Sequence, residues 1–448
     1  MPVSPARAAA FDILLRVERE SSYASELLHA TNYEAFSTVD HALATELVMG
    51  VLRWRSRLDD EIQQASSQPL SKLDLEVLIA LRLGLYQFRR LDRIPQRAAL
   101  HESVELVKRS RKRSAAPFVN AILRKLGQTA WNKPGCEVKQ LSPQELASSY
   151  AHPLWMVERW AREFGSATVQ QICIHNQSTP QTSIRIRDES FQADGITLAP
   201  GALLSSARRV LSGDITKTPA FRDGQCTIQD EASQLVAVLV NLEASGESAR
   251  VLDCCAAPGG KTLAIADRSP QASITAVELH PHRARLMKRL LQKTSQSERI
   301  QIIGADARDL PLSGSFDRVL ADVPCSGTGT LARNPEIKWR LKAADLAELH
   351  NRQVAILRSA MSRVAPKGRL IYSTCSLERE ENEDVVAEAL SETKSFRVVD
   401  CGTELDRLKS AGELTWPDPA QLTNGPYLRT IPGVHPCDGF FAAILERM

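Results

Sequence analysis

Two cysteines carry the clearest chemistry. Cys325 closes the stretch ADVPC and Cys375 sits in STCS, each at the end of a short apolar run, FDRVLAD and GRLIYSTC, that reads as a strand. A single free cysteine is usually a small buried hydrophobe. Two of them at polar strand tips, flanked by proline or threonine, point to covalent catalysis. A thiolate that adds to carbon 6 of a pyrimidine turns the ring into an enamine, and carbon 5 can then attack a sulfonium methyl. The carbon 5 proton must be removed before the thiolate can leave. Asp322, three residues before Cys325, is placed to hydrogen-bond the ring at N3. A free thiol with pKa near 8.5 is only a few per cent ionised at pH 7, and about 2 kcal/mol of local stabilisation closes that gap. Helix N-termini or a cationic cofactor can supply it. The spacing does not say which cysteine attacks.

A second group of residues suits a cofactor. VLDCCAAPGGKT, Val251 to Thr262, reads as strand, tight turn and helix start. It matches neither G-x-x-x-x-G-K-[ST] nor G-x-G-x-x-G, which disfavours a phosphate loop. A cofactor without phosphate, such as S-adenosylmethionine, suits a turn this short, although a purely structural turn has the same look. Glu278 ends the strand SITAVEL, where an acid can accept from both ribose hydroxyls. Asp306 ends RIQIIGAD, where a carboxylate can accept from an adenine amino group or simply cap a helix.

Particular elements must position these residues. From about residue 231 to 448, RVLDCC, SITAVEL, RIQIIGAD, FDRVLAD and GRLIYSTC are separated in part by helical segments such as HRARLMKRLLQK. Strands alternating with helices imply a parallel sheet covered on both faces, with ligands beyond the strands' carboxyl ends. In the usual order of such a fold the fourth and fifth strands are neighbours, which sets Cys325 beside Cys375. Residues 1–140 form a helical domain, with a helical pattern from about Ala6 to Gly127: FDILLRVERE, HALATELVMGVLRWRSRLDDEIQQ, LDLEVLIALRLGLYQFRRL and AAPFVNAILRKLG repeat apolar residues at helical spacing. The polar, turn-rich Trp131 to Pro143 reads as a linker. Residues 141–230 form a small α/β piece, with an amphipathic helix, PLWMVERWAREFG, and an alternating strand, TSIRIRD. The expected fold is therefore multidomain: an all-α bundle, a small α/β middle domain and a C-terminal α/β Rossmann-like domain.

Composition limits the rest. At 448 residues the chain exceeds one core. Its 43% apolar and 24% charged content is ordinary for a soluble globular protein. No apolar run is long enough to span a bilayer, and the N-terminus shows no signal peptide. Nine scattered cysteines with no C-x-x-C pair fit free thiols, a reduced cytoplasm and no metal. The net charge of +3 says little, but KRSRKR concentrates Lys108, Arg109, Arg111, Lys112 and Arg113. That run is a candidate phosphate contact or a solvated helix end. Arg333, Lys338 and Trp339 in RNPEIKWR mix cations with a ring, as a backbone clamp with a stacking surface would. Phe440 and Phe441 lead into a final strand and read as core.

DCCAAPGGKT, ADVPCSGTG, YSTCSLEREENE and CDGFF together resemble the RNA 5-methylcytosine methyltransferases of the RsmB/NOP family. DGQCTIQDEASQL resembles the stretch that leads into their catalytic domain, and FVNAILRKL with its preceding helices resembles a NusB-like RNA-binding domain, a fusion typical of the RsmB branch. The resemblance implies methylation of a cytosine in small-subunit (16S) rRNA with S-adenosylmethionine, Cys375 as nucleophile and Cys325 as the aid to product release. It also implies cofactor contacts at Cys255, Ala256, Ala257, Pro258, Gly259, Gly260, Lys261, Glu278, Asp306 and Asp322, and an RNA-recognition-motif-like middle domain. Cys254 and Glu278 stand where the family usually has Leu and Asp. A monomer is expected. The rival readings are a tRNA or other rRNA substrate for the same chemistry, and a non-catalytic RNA-binding or antitermination protein. An amino-methylating enzyme is disfavoured, because Cys325 replaces the aromatic that such enzymes carry after the proline.

Overall fold

The computed structural model describes residues 3–20, 22–28, 36–130, 141–241, 248–292, 294 and 296–448. Most of the expected linker, residues 131–140, lies outside the described residues. The chain divides into two compact units, Met1–Thr179 with Leu331–Leu341, and Pro180–Thr330 with Lys342–Met448.

The first unit contains α1 (Pro5–Glu20), α2 (Ala24–Leu28), α3 (Thr38–Ala65), α4 (Leu75–Arg90), α5 (Gln96–Arg109), α6 (Ala116–Gly127), α7 (Pro143–Ser149), α8 (Leu154–Phe164) and α9 (Ser166–Asn176). Leu14, Leu47, Val51, Leu81, Leu85 and Leu123 meet in its core, each from the apolar stripe of its helix. Helix starts are set locally. The Ser37 hydroxyl accepts from the Asp40 amide at 3.1 Å to open α3, and Ser142 with Glu145 forms a capping box at α7. Among α1 and α3–α6, α5 is the helix that the periodicity misses. It buries only Ala99, Ser103, Leu106 and Val107, too sparse a stripe to stand out.

The second unit holds two sheets. The smaller comprises β1 (Ser183–Ile186), β2 (Thr197–Pro200), β3 (Ala207–Ser212) and β4 (Cys226–Ile228), antiparallel in the order β2-β3-β1-β4, with the short α10 (Pro219–Arg222) before β4. The piece expected at residues 141–230 is thus divided. Its helices α7–α9 pack with the first unit and its strands belong to the second. The helices α8 and α9 bury Trp160, Val169 and Ile172.

The large sheet follows in chain order: α11 (Glu231–Val238), β5 (Arg250–Asp253), α12 (Gly260–Arg268), β6 (Ser273–Glu278), α13 (Pro281–Leu291), β7 (Ile300–Gly304) and β8 (Phe316–Asp322). The chain then passes through α14 (Ile337–Arg340), part of the first unit, before α15 (Asp345–Met361), β9 (Val364–Thr374), α16 (Glu383–Ser391), β10 (Phe396–Val399), α17 (Cys401–Ser410), β11 (Thr423–Asn424), β12 (Tyr427–Thr430) and β13 (Phe440–Arg447). The strand order is β11-β12-β13-β9-β8-β5-β6-β7, with β10 on β13. Strands β9, β8, β5, β6 and β7 are parallel, and β13 runs antiparallel to β9. Alternate residues feed opposite faces: Val251, Ile371 and Ile444 enter one apolar cluster, Leu252, Leu370 and Phe441 the other. Both faces are therefore covered, as the near-continuous apolar strands require. Phe440 and Phe441 are core residues, as expected.

Candidate active site

Every sequence-selected catalytic or cofactor residue of the second unit lies at the carboxyl edge of the parallel strands. β8 and β9 are neighbours in register, with Asp322 opposite Ser373. Three residues past one and two past the other, the Cys325 and Cys375 sulfurs stand 3.3 Å apart. The carbonyl of Cys375 accepts from the Gly329 amide at 2.9 Å, and the Gly439 amide donates to the Gly329 carbonyl at 2.8 Å. A side chain at Gly329 has no room: its Cβ would lie 2.1 Å from the Gly439 oxygen. Close approach of three backbone segments thus fixes the Cys375 turn.

Glu381, fully buried, ties the two cysteine loops together. Its Oε1 accepts from the Ser326 amide at 2.8 Å and from Gln353 Nε2 at 2.8 Å, while Oε2 accepts from the Ser376 hydroxyl at 2.5 Å and from the Ser326 hydroxyl. Ser326 and Ser376 each follow a cysteine. The Cys325 thiol is held well above its ordinary range, first by its hydrogen bond to Cys375, then by burial and by the charges of Cys375 and Glu381.

Lys261 is the cation of the site. Its ammonium donates to Asp322 Oδ2 at 2.6 Å, and Asp322 Oδ1 accepts from the Ser373 hydroxyl at 2.7 Å. Burial disfavours the charged lysine, but Asp322, with Cys375 and Asp253 adding their fields, outweighs it and raises its pKa. The ammonium also lies 5.1 Å from the centre of the Phe440 ring.

The turn after β5 supplies a cradle. Gly259 takes φ of +109°, and α12 starts at Gly260, a conformation that a side chain would strain. A cavity of about 140 Å³ is lined by Gln229, Ser233, Asp253, Cys255 to Pro258, Gly260, Lys261 and Asp322. Asp253 is fully buried; its Oδ2 accepts from the Thr262 hydroxyl at 2.7 Å, and burial pushes its carboxyl up to about 6. Burial likewise pushes the Cys254 and Cys255 thiols well up. On the other side of the turn, Glu278 at the tip of β6 accepts from the His280 amide at 2.8 Å. Asp306, past β7, is held below the usual carboxylate range by its hydrogen bonds with the Arg308 side chain and amide.

The clamp expected of Lys338 and Trp339 is corrected by the structure. Both belong to the helical unit. The Lys338 ammonium is buried and donates to the carbonyls of Arg53 at 2.8 Å and Ala151 at 2.9 Å. Trp339 donates its indole N–H to Leu52 O at 2.6 Å. A buried ammonium must be matched by acceptors, and these carbonyls occupy the donors that a phosphate would need. Arg333 is half-buried. Sequence reasoning missed Glu381 and Gln229. Both lie in stretches whose pattern stood out, but nothing in LEREENE shows that Glu378 and Glu381 are buried, or that Glu381 is the one that joins the two cysteine loops.

A parallel sheet with an antiparallel strand beside β9, a glycine turn after β5 and acids closing β6 and β7 defines a Rossmann-like methyltransferase domain, here accompanied by a helical unit. The family model for 16S rRNA methyltransferase RsmB/F matches residues 239–446, and that of the NusB family matches residues 4–128. The Bacillus subtilis (strain 168) protein named "Probable ribosomal RNA small subunit methyltransferase B" is 32% identical over 464 residues, covering 100% of both chains. Ribosomal RNA small subunit methyltransferase B of Vibrio cholerae is 32% identical over 98% of this chain and 97% of its own. The crystal structure of PH0851 shares the fold, with a TM-score of 0.79 and 23% identity over 100% of both chains. The chain belongs to the RsmB/F family of 16S rRNA methyltransferases, and its cofactor is S-adenosylmethionine. The site fits that group: the glycine turn leaves space for a ligand, and two buried acceptors, Gln229 Oε1 and Asp253 Oδ1, lack protein partners.

Proposed function

We propose that this chain methylates carbon 5 of a cytosine in 16S rRNA through a covalent bond between Cys375 and carbon 6 of the base. The observation that carries the reading is the pair of thiols 3.3 Å apart at the tips of β8 and β9, beside Lys261 and Asp322. Cys255 to Lys261, Glu278, Asp306 and Asp322 hold the cofactor, which supplies an electrophilic methyl on a sulfonium when bound. Cys375 adds to carbon 6, the electrons of the double bond between carbons 5 and 6 shift to join carbons 4 and 5, N3 takes up the proton that the thiol gives up, and carbon 5 becomes nucleophilic. Asp322, oriented by Lys261 and Ser373, accepts the hydrogen bond from the protonated N3.

Cys325 acts in the second half. In the free site its proton is retained chiefly through the hydrogen bond to Cys375. Once the Cys375 sulfur is bonded to carbon, that largest restraint is gone, and Cys325, still held up by burial and by Glu381, gives its proton to solvent. Its thiolate then takes up the carbon 5 proton, and the electrons of that C–H bond re-form the ring double bond and expel Cys375.

RNA is held by the basic run Lys108 to Arg113, with Arg333 as a further contact. Lys108, Arg109 and Arg113 line one surface groove with Glu105. No helix among the described residues is long and apolar enough to cross a membrane, and a cytoplasmic place beside its RNA is part of this proposal.

Denaturing gels of enzyme with 16S rRNA and cofactor test the mechanism. Cys375→Ala is expected to give neither methylation nor adduct. Cys325→Ala is expected to methylate once and remain linked to RNA. An adduct with Cys375→Ala and none with Cys325→Ala reverses the roles, and full turnover by both variants ends the covalent mechanism.

A further inference from the structure

The loop between β4 and α11 brings an unassigned side chain into the cofactor cavity. Both backbone groups of Gln229 are engaged: its amide donates to Ser183 O at 3.0 Å, and its carbonyl accepts from Gln234 Nε2 at 2.9 Å. Its side-chain Nε2 donates to the Ser233 hydroxyl at 3.2 Å. The amide lies against the start of α12, with Nε2 3.5 Å from where a Cβ on Gly260 would be. Gln229 is 8% exposed, yet its Oε1 has no hydrogen-bond partner. Asp253 Oδ1, in the same cavity, has none either.

A buried acceptor left without a donor is destabilising. Two in a cavity of about 140 Å³ mark a place for a ligand rich in donors. Lys261 is not that donor, because its ammonium lies on Asp322. The strand order indicates which part of the cofactor arrives there. β5 stands between β8 and β6. Glu278 and Asp306, on the β6 and β7 side, take the nucleoside, so the cavity on the β8 side receives the opposite end. That end bears an α-ammonium with three N–H donors.

We propose that Gln229 Oε1, together with Asp253 Oδ1, receives the α-ammonium group at the amino-acid end of S-adenosylmethionine. Gln229 is thereby a specificity residue for the whole cofactor over its nucleoside fragment. The inference rests on the cofactor assignment, and calorimetry on the full chain without RNA separates the two. The probes are S-adenosylhomocysteine, which keeps the amino-acid end, and 5′-methylthioadenosine, which lacks it.

Gln229→Leu is expected to bind S-adenosylhomocysteine at least tenfold more weakly and 5′-methylthioadenosine as the wild type does. Gln229→Glu, which keeps an acceptor, is expected to restore most of the loss. Equal weakening of both ligands overturns the proposal in favour of a general packing role. Unchanged binding of both, with a raised KM for RNA, overturns it in favour of a contact to the base. A wild-type chain that binds neither probe overturns the cofactor assignment itself.

Discussion

The Cys325 and Cys375 sulfurs lie 3.3 Å apart because β8 and β9 are adjacent, parallel and in register from Asp322 and Ser373. The contact couples them. Whatever happens at one sulfur changes the hydrogen bond on which the other depends. The proposed mechanism, in which two thiols act in succession, relies on this contact, since reaction of the first would release the second. The same contact requires two separate loops to hold position to within a fraction of an ångström, and that task falls to a third residue.

Glu381 performs it, so Glu381→Ala is expected to be costly. The substitution leaves the Ser326 amide, two serine hydroxyls and Gln353 Nε2 without their acceptor. Each buried donor left without an acceptor costs about 1–3 kcal/mol. Methylation should fall by at least a hundredfold, while S-adenosylhomocysteine affinity stays within about threefold, because the glycine turn does not touch this network. Glu381→Gln should recover part of the stability, since one oxygen still accepts. Denaturant titration and calorimetry on both variants check this. Cofactor affinity falling in step with activity would show that Glu381 supports the whole sheet edge.

The large sheet was legible because its central strands β5, β6, β8 and β9 are largely buried and the strand tips carry glycine, acids or cysteine in place of apolar residues. Cys325, Cys375 and Asp322 could be placed together from strand order alone. The antiparallel hairpin of β11 and β12 was not visible: β11 is two residues long and β12 four, shorter than any alternation can reveal. Lys338 was misread for a different reason. RNPEIKWR has the composition of an exposed basic segment, and only tertiary packing shows that its ammonium faces the carbonyls of Arg53 and Ala151. Gln229 looked like one polar residue among several in GQCTIQDEASQL, and its importance lies in an absent partner, which no sequence displays.

Asp253 gives a pH-dependent prediction. Its carboxyl is raised by burial from an ordinary 3.8 to about 6. Between those values the folded chain binds more protons than the unfolded one, so stability falls as pH rises through the window and stays lower above it. Two pKa units correspond to about 3 kcal/mol. Asp253→Asn is expected to gain stability relative to the wild type between pH 4 and 6, then hold a constant advantage up to pH 8. Urea midpoints across that range measure it. A difference that does not change with pH would mean that Asp253 is charged throughout.

Lys338→Met is expected to leave RNA binding and its salt dependence unchanged. The side-chain nitrogen is already committed to two carbonyls inside the helical unit. Burial holds its pKa well below the ordinary lysine value, so the folded chain binds fewer protons than the unfolded one between that lowered value and about 10.4. Wild-type stability should therefore rise with pH through that window, and the rise should be missing in the Met variant. Filter binding at several salt concentrations and melting curves at pH 7 and 9 decide it. A shallower salt slope for Lys338→Met would return the residue to the RNA surface.

The basic run should behave in the opposite way. Lys108, Arg109 and Lys112 already hold carboxylates, Glu105 at 2.7 Å, Asp12 at 2.8 Å and Asp74 at 3.0 Å. Arg111 and Arg113 have no ion pair among the described residues. Exposed pairs of this kind are worth only ~0–1 kcal/mol, so RNA phosphates can displace them. The counterions released on binding are then fewer than the number of cations suggests, because each displaced carboxylate recovers its own. Neutralising all five should lower the slope of log K against log salt by roughly 2–3, against a ceiling of about 3.5 for five single-strand contacts. Neutralising Arg111 and Arg113 alone should account for about half of that change. Calorimetric affinity for S-adenosylhomocysteine should not move, since the run lies in the helical unit and the cofactor cavity in the other. Salt slopes equal to those of the wild type in both variants would show that the groove lined by Lys108, Arg109 and Arg113 is a solvated helix end and that RNA is held elsewhere.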